Sequence, residues 1–221
     1  MDLAPFWLTL RLALTVTAIL LVLTAPVAWW LARTESRVKP VLEALVALPL
    51  VLPPTVLGFY LLLLLSPRGP MAPVLNALDL RLVFSFSGLV IGSVLFSLPF
   101  VLNPLKNAFQ EIPEGQLETA ATLGARPIDR FVNVVLPMSR PGIITAAVMG
   151  FAHTLGEFGV VLMIGGNIPG ETQVLSVAIY EKVEQLEYGQ AHVYSLGLLV
   201  FSVVLLTALY SSQRARQLAR L

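Results

Sequence analysis

The chain has 221 residues, of which 57% are hydrophobic and only 12% are charged, and its formal net charge is +1. Soluble domains carry about 25% charged residues, so this composition excludes an ordinary soluble domain and indicates an all-α integral membrane protein. The absence of cysteine excludes disulfides and thiolate metal sites. The sequence also has no basic block, so we expect membrane lipid and no nucleic acid among its partners.

Five long apolar runs predict five transmembrane helices in a single domain that covers residues 1–221. A span needs about 20 residues, and each run reaches that length with at most one charged residue. The first run is interpreted as a span and not as a removable signal peptide, because no basic segment precedes it and it is too long. The predicted spans lie at about 8–32, 44–65, 83–105, 141–164 and 189–211, with a polar loop at 106–140.

The distribution of lysine and arginine predicts the orientation of these spans. In a five-span topology ten basic residues share one side, and the other side has Arg68, Arg81 and Lys182, with Arg11 near the edge of the first span. Because short cytoplasmic loops carry the excess of basic residues, the loop 106–140 and the C-terminus are predicted in the cytoplasm and the N-terminus outside. The ten residues are Arg33, Arg37, Lys39, Lys106, Arg126, Arg130, Arg140, Arg214, Arg216 and Arg220.

The first two runs contain residues that affect how the helices form. Trp29-Trp30, at the end of the first run, is predicted to be an aromatic anchor at the membrane edge, and Pro26 is a potential kink. In the second run Pro53 and Pro54 disfavour helical geometry in the residues before them and remove backbone donors. Two interpretations are open for the second run: a broken helix that lines a pathway, or a kinked helix that only packs in the bundle.

A long polar interruption precedes the fourth run and has the signals of a helix, a bend and a second helix. Pro113 and Glu114 favour a helix start, Gly124 favours its end, and Pro127 favours a new start. The first helix is at most about 11 residues long and cannot cross a bilayer. Residues 113–137 are therefore predicted to form a compact unit at the membrane surface, here called the knob. Its second helix is predicted to place Ile128, Phe131, Val132 and Val135 on one side and to end at Leu136-Pro137.

The spacing within the knob resembles the EAA loop of ABC-importer permeases. That loop reads Glu-Ala-Ala, three residues, Gly, nine residues, Ile, one residue and Leu-Pro; here Thr119 replaces the first Ala and Val134 replaces the Ile. In that family the loop is a coupling helix that sits in a groove of the ATPase subunit and carries nucleotide-driven motion to the spans. The resemblance implies that the coupling residues are Glu118, Ala120, Ala121, Gly124, Leu136 and Pro137.

The fourth run contains two ionisable residues, His153 and Glu157, at a spacing of one helical turn. An ionisable group at that depth is costly and is usually functional or paired. A structural role is favoured for Glu157 over substrate binding, with a hydrogen bond to a neighbouring helix or to His153. Past this run, Gly165, Gly166 and Gly170 favour a turn around Asn167, either an anion-holding nest of N–H groups or a plain hairpin.

Three stretches of the second half resemble the molybdate permeases: Gly-Glu-Phe-Gly at 156–159, Gly-Asn-Ile-Pro-Gly-Glu-Thr at 166–172 and Ala-Ile-Tyr at 178–180. Sulfate permeases share the first stretch and the beginning of the second. The resemblance implies a membrane subunit of an ATP-driven oxyanion importer, for molybdate in particular, with tungstate, sulfate or thiosulfate as alternatives. It implies two copies of this chain in the inner membrane, two ATPase subunits that bind ATP and Mg²⁺, and an external binding protein. Pro53, Pro54, His153, Glu157 and Asn167 are candidates for the translocation path or for structural roles.

The acidic stretch 181–187 is predicted to form a short helix on the outer face, as a docking surface or a solvated turn.

No enzyme site is legible in the sequence, and we expect this chain to bind no metal and no cofactor. A phosphate-binding loop requires Gly-Lys, and no lysine here follows a glycine. Five helices give few walls for a pore, which favours a homodimer. Two other classes are weighed against the importer: a secondary transporter independent of ATP, for which no internal repeat is visible, and an intramembrane enzyme using His153 and Glu157, which lack a nucleophile or metal partner at a recognisable spacing.

Overall fold

The computed structural model describes residues 2–218, and these residues fold as a bundle of helices joined by loops. Its centre consists of α1 (Ala4–Arg33), α5 (Phe86–Gln110) and α9 (Arg140–Leu155), which pack against one another. The predicted all-α class is confirmed.

The packed faces of α1 and α5 form the main apolar core. Three threonines of α1 are also buried, and the hydroxyls of Thr9, Thr17 and Thr24 each donate to the carbonyl oxygen four residues earlier. Because these polar groups are satisfied within their own helix, α1 can bury this face away from water. The largest fully buried side chains of the two helices are Leu12, Val16, Leu20, Leu31, Leu89, Val101, Leu102, Leu105 and Phe109.

Within the described residues, three helices are long and apolar enough to cross a membrane, namely α1, α5 and the stretch Tyr188–Ser211. Two bent helix pairs raise the number to five if each pair counts as one span. α1 runs as one helix through Pro26. The three unbroken helices overlap the predicted first, third and fifth spans, although α5 begins at Phe86, inside the predicted third span, and ends at Gln110, beyond it.

The last helix, α12 (Tyr188–Leu218), lies at the periphery of the bundle against α9 and α11 (Leu175–Glu184). Most of its apolar side chains are exposed, as expected for a helix that faces lipid or another protein. Part of the predicted basic tail lies outside what the structure describes. Arg220 lies outside the described residues, and so do the side chains of Arg214 and Arg216.

The second apolar run forms two helices instead of one rod. α2 (Lys39–Val51) ends where Leu52 becomes extended with ψ 135°, and α3 (Pro54–Leu65) is bent by 109° from it. The two consecutive prolines after Leu52 explain this break, because a proline disfavours helical geometry in the residue before it. The predicted span at 44–65 is therefore not one continuous helix, and of the two open interpretations the structure shows the broken helix.

The fourth apolar run is also broken. α9 ends at Leu155, residues 156–158 form a non-helical link, and α10 (Gly159–Gly165) resumes the helix. The predicted continuous span at 141–164 is wrong at this link. His153 and Glu157 are consequently not one turn apart on a single helix, because Glu157 lies in the link and His153 lies in the last turn of α9.

The knob follows α5 and consists of short helices. α6 (Glu114–Thr122) is separated by a turn from a second helical segment, which ends at Met138 and is bent by 73° from α9. The predicted helix–bend–helix is confirmed, although the second helix continues past Leu136-Pro137. The second segment comprises α7 (Pro127–Arg130), a π-helix (Phe131–Val135) and α8 (Leu136–Met138).

The end of the bundle opposite the knob, here called the far end, carries two further short helices. The segment between the second and third apolar runs contains α4 (Ala72–Ala77). The predicted acidic helix at 181–187 is shifted, because α11 begins earlier and ends at Glu184. The backbone N–H of Leu175 donates to the Thr9 hydroxyl at 2.7 Å, which fixes the start of α11 to α1.

Candidate functional sites

The bend of the knob is a glycine-terminated helix end. Gly124 has φ +85°, and its N–H donates to the carbonyl oxygen of Ala121 at 2.9 Å. The N–H of Ala125 reaches back to the carbonyl oxygen of Ala120 at 3.0 Å. This pair of bonds is the Schellman arrangement, which requires a left-handed residue and therefore favours glycine. The predicted helix end at Gly124 is confirmed.

The second helix of the knob starts at a capped proline. The carboxylate of Asp129 accepts the backbone N–H of Arg126 at 3.2 Å, and Pro127 occupies the first helical position, where a missing N–H is not needed. The turn and the helix start are thus both specified by residues close in the chain.

Most side chains of the knob are exposed to solvent in the single chain. Among the predicted coupling residues, Glu118, Ala121, Gly124 and Pro137 are exposed, while Ala120 and Leu136 are half-buried.

Large apolar residues are exposed on the same surface of the knob, with Leu123 83% and Ile128 76% exposed. The predicted apolar side of the second helix is wrong, because Ile128 and Val132 point outward while Val135 is buried against the bundle. Sequence patterns did not identify Leu123 as an exposed apolar residue, and its position directly before the helix-ending glycine was the available signal.

Arg33 connects the knob to the bundle. Its Nη2 donates to the carbonyl oxygens of Phe109 at 3.1 Å and Ile112 at 2.9 Å, at the C-terminal end of α5. Its guanidinium lies 4.9 Å from the centroid of the Trp29 ring, and its Nη1 is 3.8 Å from the carboxylate of Glu114. One side chain therefore joins the end of α1, the end of α5 and the first turn of α6. Spacing in the sequence gives no signal for these contacts.

Trp29 packs inside the base of the knob. Its ring lies 5.8 Å from the ring of Phe109 and 5.7 Å from that of Phe131, both edge-to-face. The predicted role of Trp29 as a membrane-edge anchor is therefore wrong, whereas Trp30 is 43% exposed. A second ion pair at this end, Lys106 Nζ to Glu43 Oε1 at 2.8 Å, fastens α2 to α5.

The two helix breaks meet at one cavity. It has a volume of about 560 Å³ and is lined by the start of α3, by α5 and by the link between α9 and α10. Gly159 allows this contact, because a Cβ atom built there would lie 2.7 Å from Cβ of Pro54. Among the predicted path residues, the structure brings Pro54, His153 and Glu157 together at this cavity, and Pro53 directly precedes α3.

His153 is fixed at the cavity by a chain of hydrogen bonds. Thr154 donates to the carbonyl oxygen of Gly150 at 2.9 Å, Ser97 and Thr154 are joined at 3.0 Å, and His153 Nδ1 and Ser97 are joined at 2.9 Å. All three bonds are satisfied together when His153 Nδ1–H donates to Ser97 and Ser97 donates to Thr154. The imidazole also stacks on Phe100, with centroids 3.7 Å apart.

Glu157 is only 4% exposed, and neither carboxyl oxygen has a hydrogen-bond partner among the described residues. Its backbone carbonyl accepts from the hydroxyl of Ser176 at 2.5 Å, which holds the link in place. The hydroxyl of Ser93, on α5, lies beside the carboxyl but outside hydrogen-bonding geometry, and it is itself buried without a partner. The predicted hydrogen bond from the Glu157 side chain to His153 or to a neighbouring helix is therefore absent from the described structure.

Asn167 lies at the far end, apart from the residues that line the helix-break cavity. Its Nδ2 donates to Glu181 at 2.8 Å, and its Oδ1 accepts from Gln173 at 2.8 Å. This network borders a second cavity of about 570 Å³. Lys182 also lines that cavity, but a hydrogen bond from its ammonium to Glu187 raises its pKa and engages its charge. Within residues 2–218 we find no cluster of three or more His, Asp or Glu side chains that fits a metal ion.

The chain belongs to the family described as "Binding-protein-dependent transport system inner membrane component", whose pattern matches residues 24–217. It is 58% identical to the Molybdenum transport system permease protein ModB of Azotobacter vinelandii, over 96% of this chain and 95% of that protein. It is 31% identical to the protein of the same name from Escherichia coli K12, over 96% and 94%. A probable sulfate transport system permease of Anthoceros angustus is 36% identical over 88% of this chain and 66% of that protein.

Solved structures share the fold. The MetNI methionine ABC transporter in an inward-facing conformation matches with a TM-score of 0.70, covering 96% of this chain and 94% of the other at 19% identity. A bacterial alginate ABC transporter in complex with an alginate-bound periplasmic protein matches with a TM-score of 0.71, covering 96% and 79% at 19% identity. The fold is therefore that of the membrane subunit of an ABC importer.

Proposed function

We propose that this chain is the membrane subunit of an ATP-driven importer of tetrahedral oxyanions, and of molybdate in particular. The observation that carries this proposal is the 58% identity to a molybdenum permease across almost the full length of both chains. The 36% identity to a sulfate permease supports the oxyanion class and keeps sulfate, thiosulfate and tungstate as alternative substrates.

The knob is the proposed docking site for the ATPase subunit. Exposed apolar side chains on a short polar unit, Leu123 and Ile128 above all, are typical of a surface that a partner covers. In this proposal Glu118 anchors the knob in the ATPase, Gly124 forms its bend and Pro137 fixes its exit. Arg33 then passes the movement of the knob to α1 and α5 together, because it is bonded to both. ATP and Mg²⁺ are bound and used by the partner, not by this chain.

The proposed assembly contains two copies of this chain, two ATPase subunits and an external binding protein. α2 supports the homodimer, because none of its residues is buried within the single chain and many of its large apolar side chains are exposed. The knob and the C-terminus face the cytoplasm and the N-terminus faces outward, as the excess of basic residues favours. The translocation path runs beside Pro53, Pro54, His153 and Glu157, whereas the hydrogen bonds of Asn167 favour a structural role at the far end.

Reconstitution tests the coupling role. Gly124→Val forces a β-branched residue into a left-handed conformation and so distorts the bend. In proteoliposomes with the ATPase and the binding protein, we expect the variant to insert normally but to lose most ATP-driven molybdate uptake. Gly189→Val at the far end is the control, because a Cβ there contacts nothing within 4 Å. Normal uptake by Gly124→Val would contradict the coupling role.

The same vesicles test the class and the substrate. Uptake that requires ATP inside and the binding protein outside supports the importer, whereas uptake without nucleotide supports the secondary transporter. Competition of labelled molybdate with tungstate, sulfate and thiosulfate identifies the preferred oxyanion.

A further inference from the structure

The helix-break cavity has an unusual combination of features for a membrane protein. Glu157 is 96% buried and its carboxyl oxygens have no hydrogen-bond partner among the described residues, yet the residue lines an accessible cavity of about 560 Å³. Buried polar groups without partners are rare, because each costs about 1–3 kcal/mol. A buried group without a partner inside the protein indicates that a ligand, an ion or a water supplies one.

The surroundings of Glu157 favour its neutral form. No cation lies among the groups that face it: α3 contributes Pro54 and Thr55, α5 contributes Ser93 and Phe96, and α9 contributes His153. His153 is the one other titratable group at this cavity in the described structure, and its Nδ1 is engaged with Ser97. Without a cation or a hydrogen bond, an ionised carboxylate at this depth is strongly disfavoured. The neutral carboxyl carries an O–H group, which is a hydrogen-bond donor.

The same cavity faces the positive end of a helix. α3 has 12 residues, and its first residues Pro54 and Thr55 line the cavity. Proline has no N–H, and the N–H groups of Val56 and Leu57 donate to the carbonyl oxygen of Pro53, so the N–H of Thr55 is the free donor of this first turn in the described structure. Such a terminus favours an anion. The cavity therefore combines a helix N-terminus with an unpartnered buried donor, and no other charge opposes an anion there.

From this geometry we infer that the helix-break cavity is a transient oxyanion subsite on the translocation path, in which Glu157 donates a hydrogen bond in its protonated form. The inference rests on the proposed function and adds a defined contact to it. The α3 N-terminus supplies the attraction, and the Glu157 O–H supplies one directed bond. Ionisation of Glu157 would place a negative charge in the subsite and repel the anion.

Three substitutions at one position test this subsite in the reconstituted transporter with its ATPase and binding protein. Glu157→Gln keeps a donor of the same size, so we expect it to retain molybdate uptake within about threefold of the wild type. Glu157→Ala and Glu157→Leu remove the donor, and we expect a loss of about tenfold, which corresponds to one hydrogen bond of about 1.4 kcal/mol. Co-purification of the ATPase with each variant separates a transport defect from a failure to assemble.

The pH profile gives a readout that a purely structural role would not change. As pH rises, wild-type Glu157 ionises and repels the anion, whereas glutamine does not, so the ratio of Glu157→Gln uptake to wild-type uptake should increase with pH. Taking this ratio at each pH cancels the pH dependence of the ATPase and the binding protein.

Two results would overturn the subsite: loss of uptake by an assembled Glu157→Gln at every pH, which would mean that the negative charge is required, or wild-type uptake by Glu157→Ala. Wild-type uptake in the same vesicles tests the proposed function separately. If the wild type carries no oxyanion, the proposed function and the subsite both fail; if only Glu157→Gln fails, the importer stands and the subsite does not.

Discussion

The knob and the helix-break cavity are built in opposite ways. In the knob, the helix end at Gly124 and the helix start at Pro127 are stabilised by hydrogen bonds between residues three to five positions apart. In the cavity, Pro54, His153 and Glu157 come from distant parts of the chain and meet because two helices break at the same place. Local signals suffice to shape an exposed unit, whereas a buried polar site depends on packing between helices.

The two regions also differ in what they leave unsatisfied. The knob exposes apolar side chains, while the cavity buries a carboxyl without a partner among the described residues. Each deficit indicates a different kind of occupant: an apolar surface of another protein for the knob, and a small polar ligand for the cavity.

The largest expected effect concerns the packing that supports the cavity. Gly150 lies where α9 packs on α5, and a Cβ built there would be 2.4 Å from Cγ2 of Val101. Gly150→Val should therefore destabilise the protein by about 3 kcal/mol through overpacking. Thermal unfolding in detergent measures this, with Gly197→Val on α12 as the control because its Cβ contacts nothing within 4 Å. Equal stability of the two variants would show that this interface can relax.

A smaller effect is expected where the knob joins the bundle. Arg33→Met removes the bonds to the carbonyl oxygens of Phe109 and Ile112 and should cost about 2 kcal/mol. Arg33→Lys keeps the charge but not the two-pronged geometry, so its stability should fall between wild type and Arg33→Met. Thermal unfolding of the three proteins measures this ranking of stabilities. Equal stability of all three would show that the knob is held mainly by the rings of Trp29 and Phe131.

The smallest effects concern the knob itself. Replacing Gly115, inside α6, and Gly124, just after α6, should change the stability of the knob in opposite directions. Gly124→Ala should destabilise the knob by about 1 kcal/mol, because Gly124 has φ +85°. Gly115→Ala should stabilise it by up to about 1 kcal/mol, because Gly115 is in the helix with nothing near its Cβ position. Hydrogen exchange of the α6 amides measures both effects. If both substitutions changed the protection of these amides in the same direction, the knob would not be controlled by the backbone geometry of each glycine.

Residue patterns predicted the knob well because its determinants are close in the chain. Pro127 and Gly124 act through their own backbone geometry, so their positions were predicted without knowledge of the rest of the fold. The same patterns failed for Trp29 and for the outward-facing Ile128, since hydrophobicity alone does not distinguish a side chain that faces lipid, bundle or partner.

By itself, the sequence determined that this is an all-helical membrane protein with five apolar runs, that prolines disturb the second run and that a short knob follows the third. These features follow from composition, run length and the backbone limits of proline and glycine. Only the tertiary structure decided that the fourth run is also broken, that Arg33 joins three helices and that Glu157 is buried beside the start of α3. The physical reason is that burial and hydrogen-bond partnership depend on which helices pack together, and residues far apart in the chain carry no local sign of that contact.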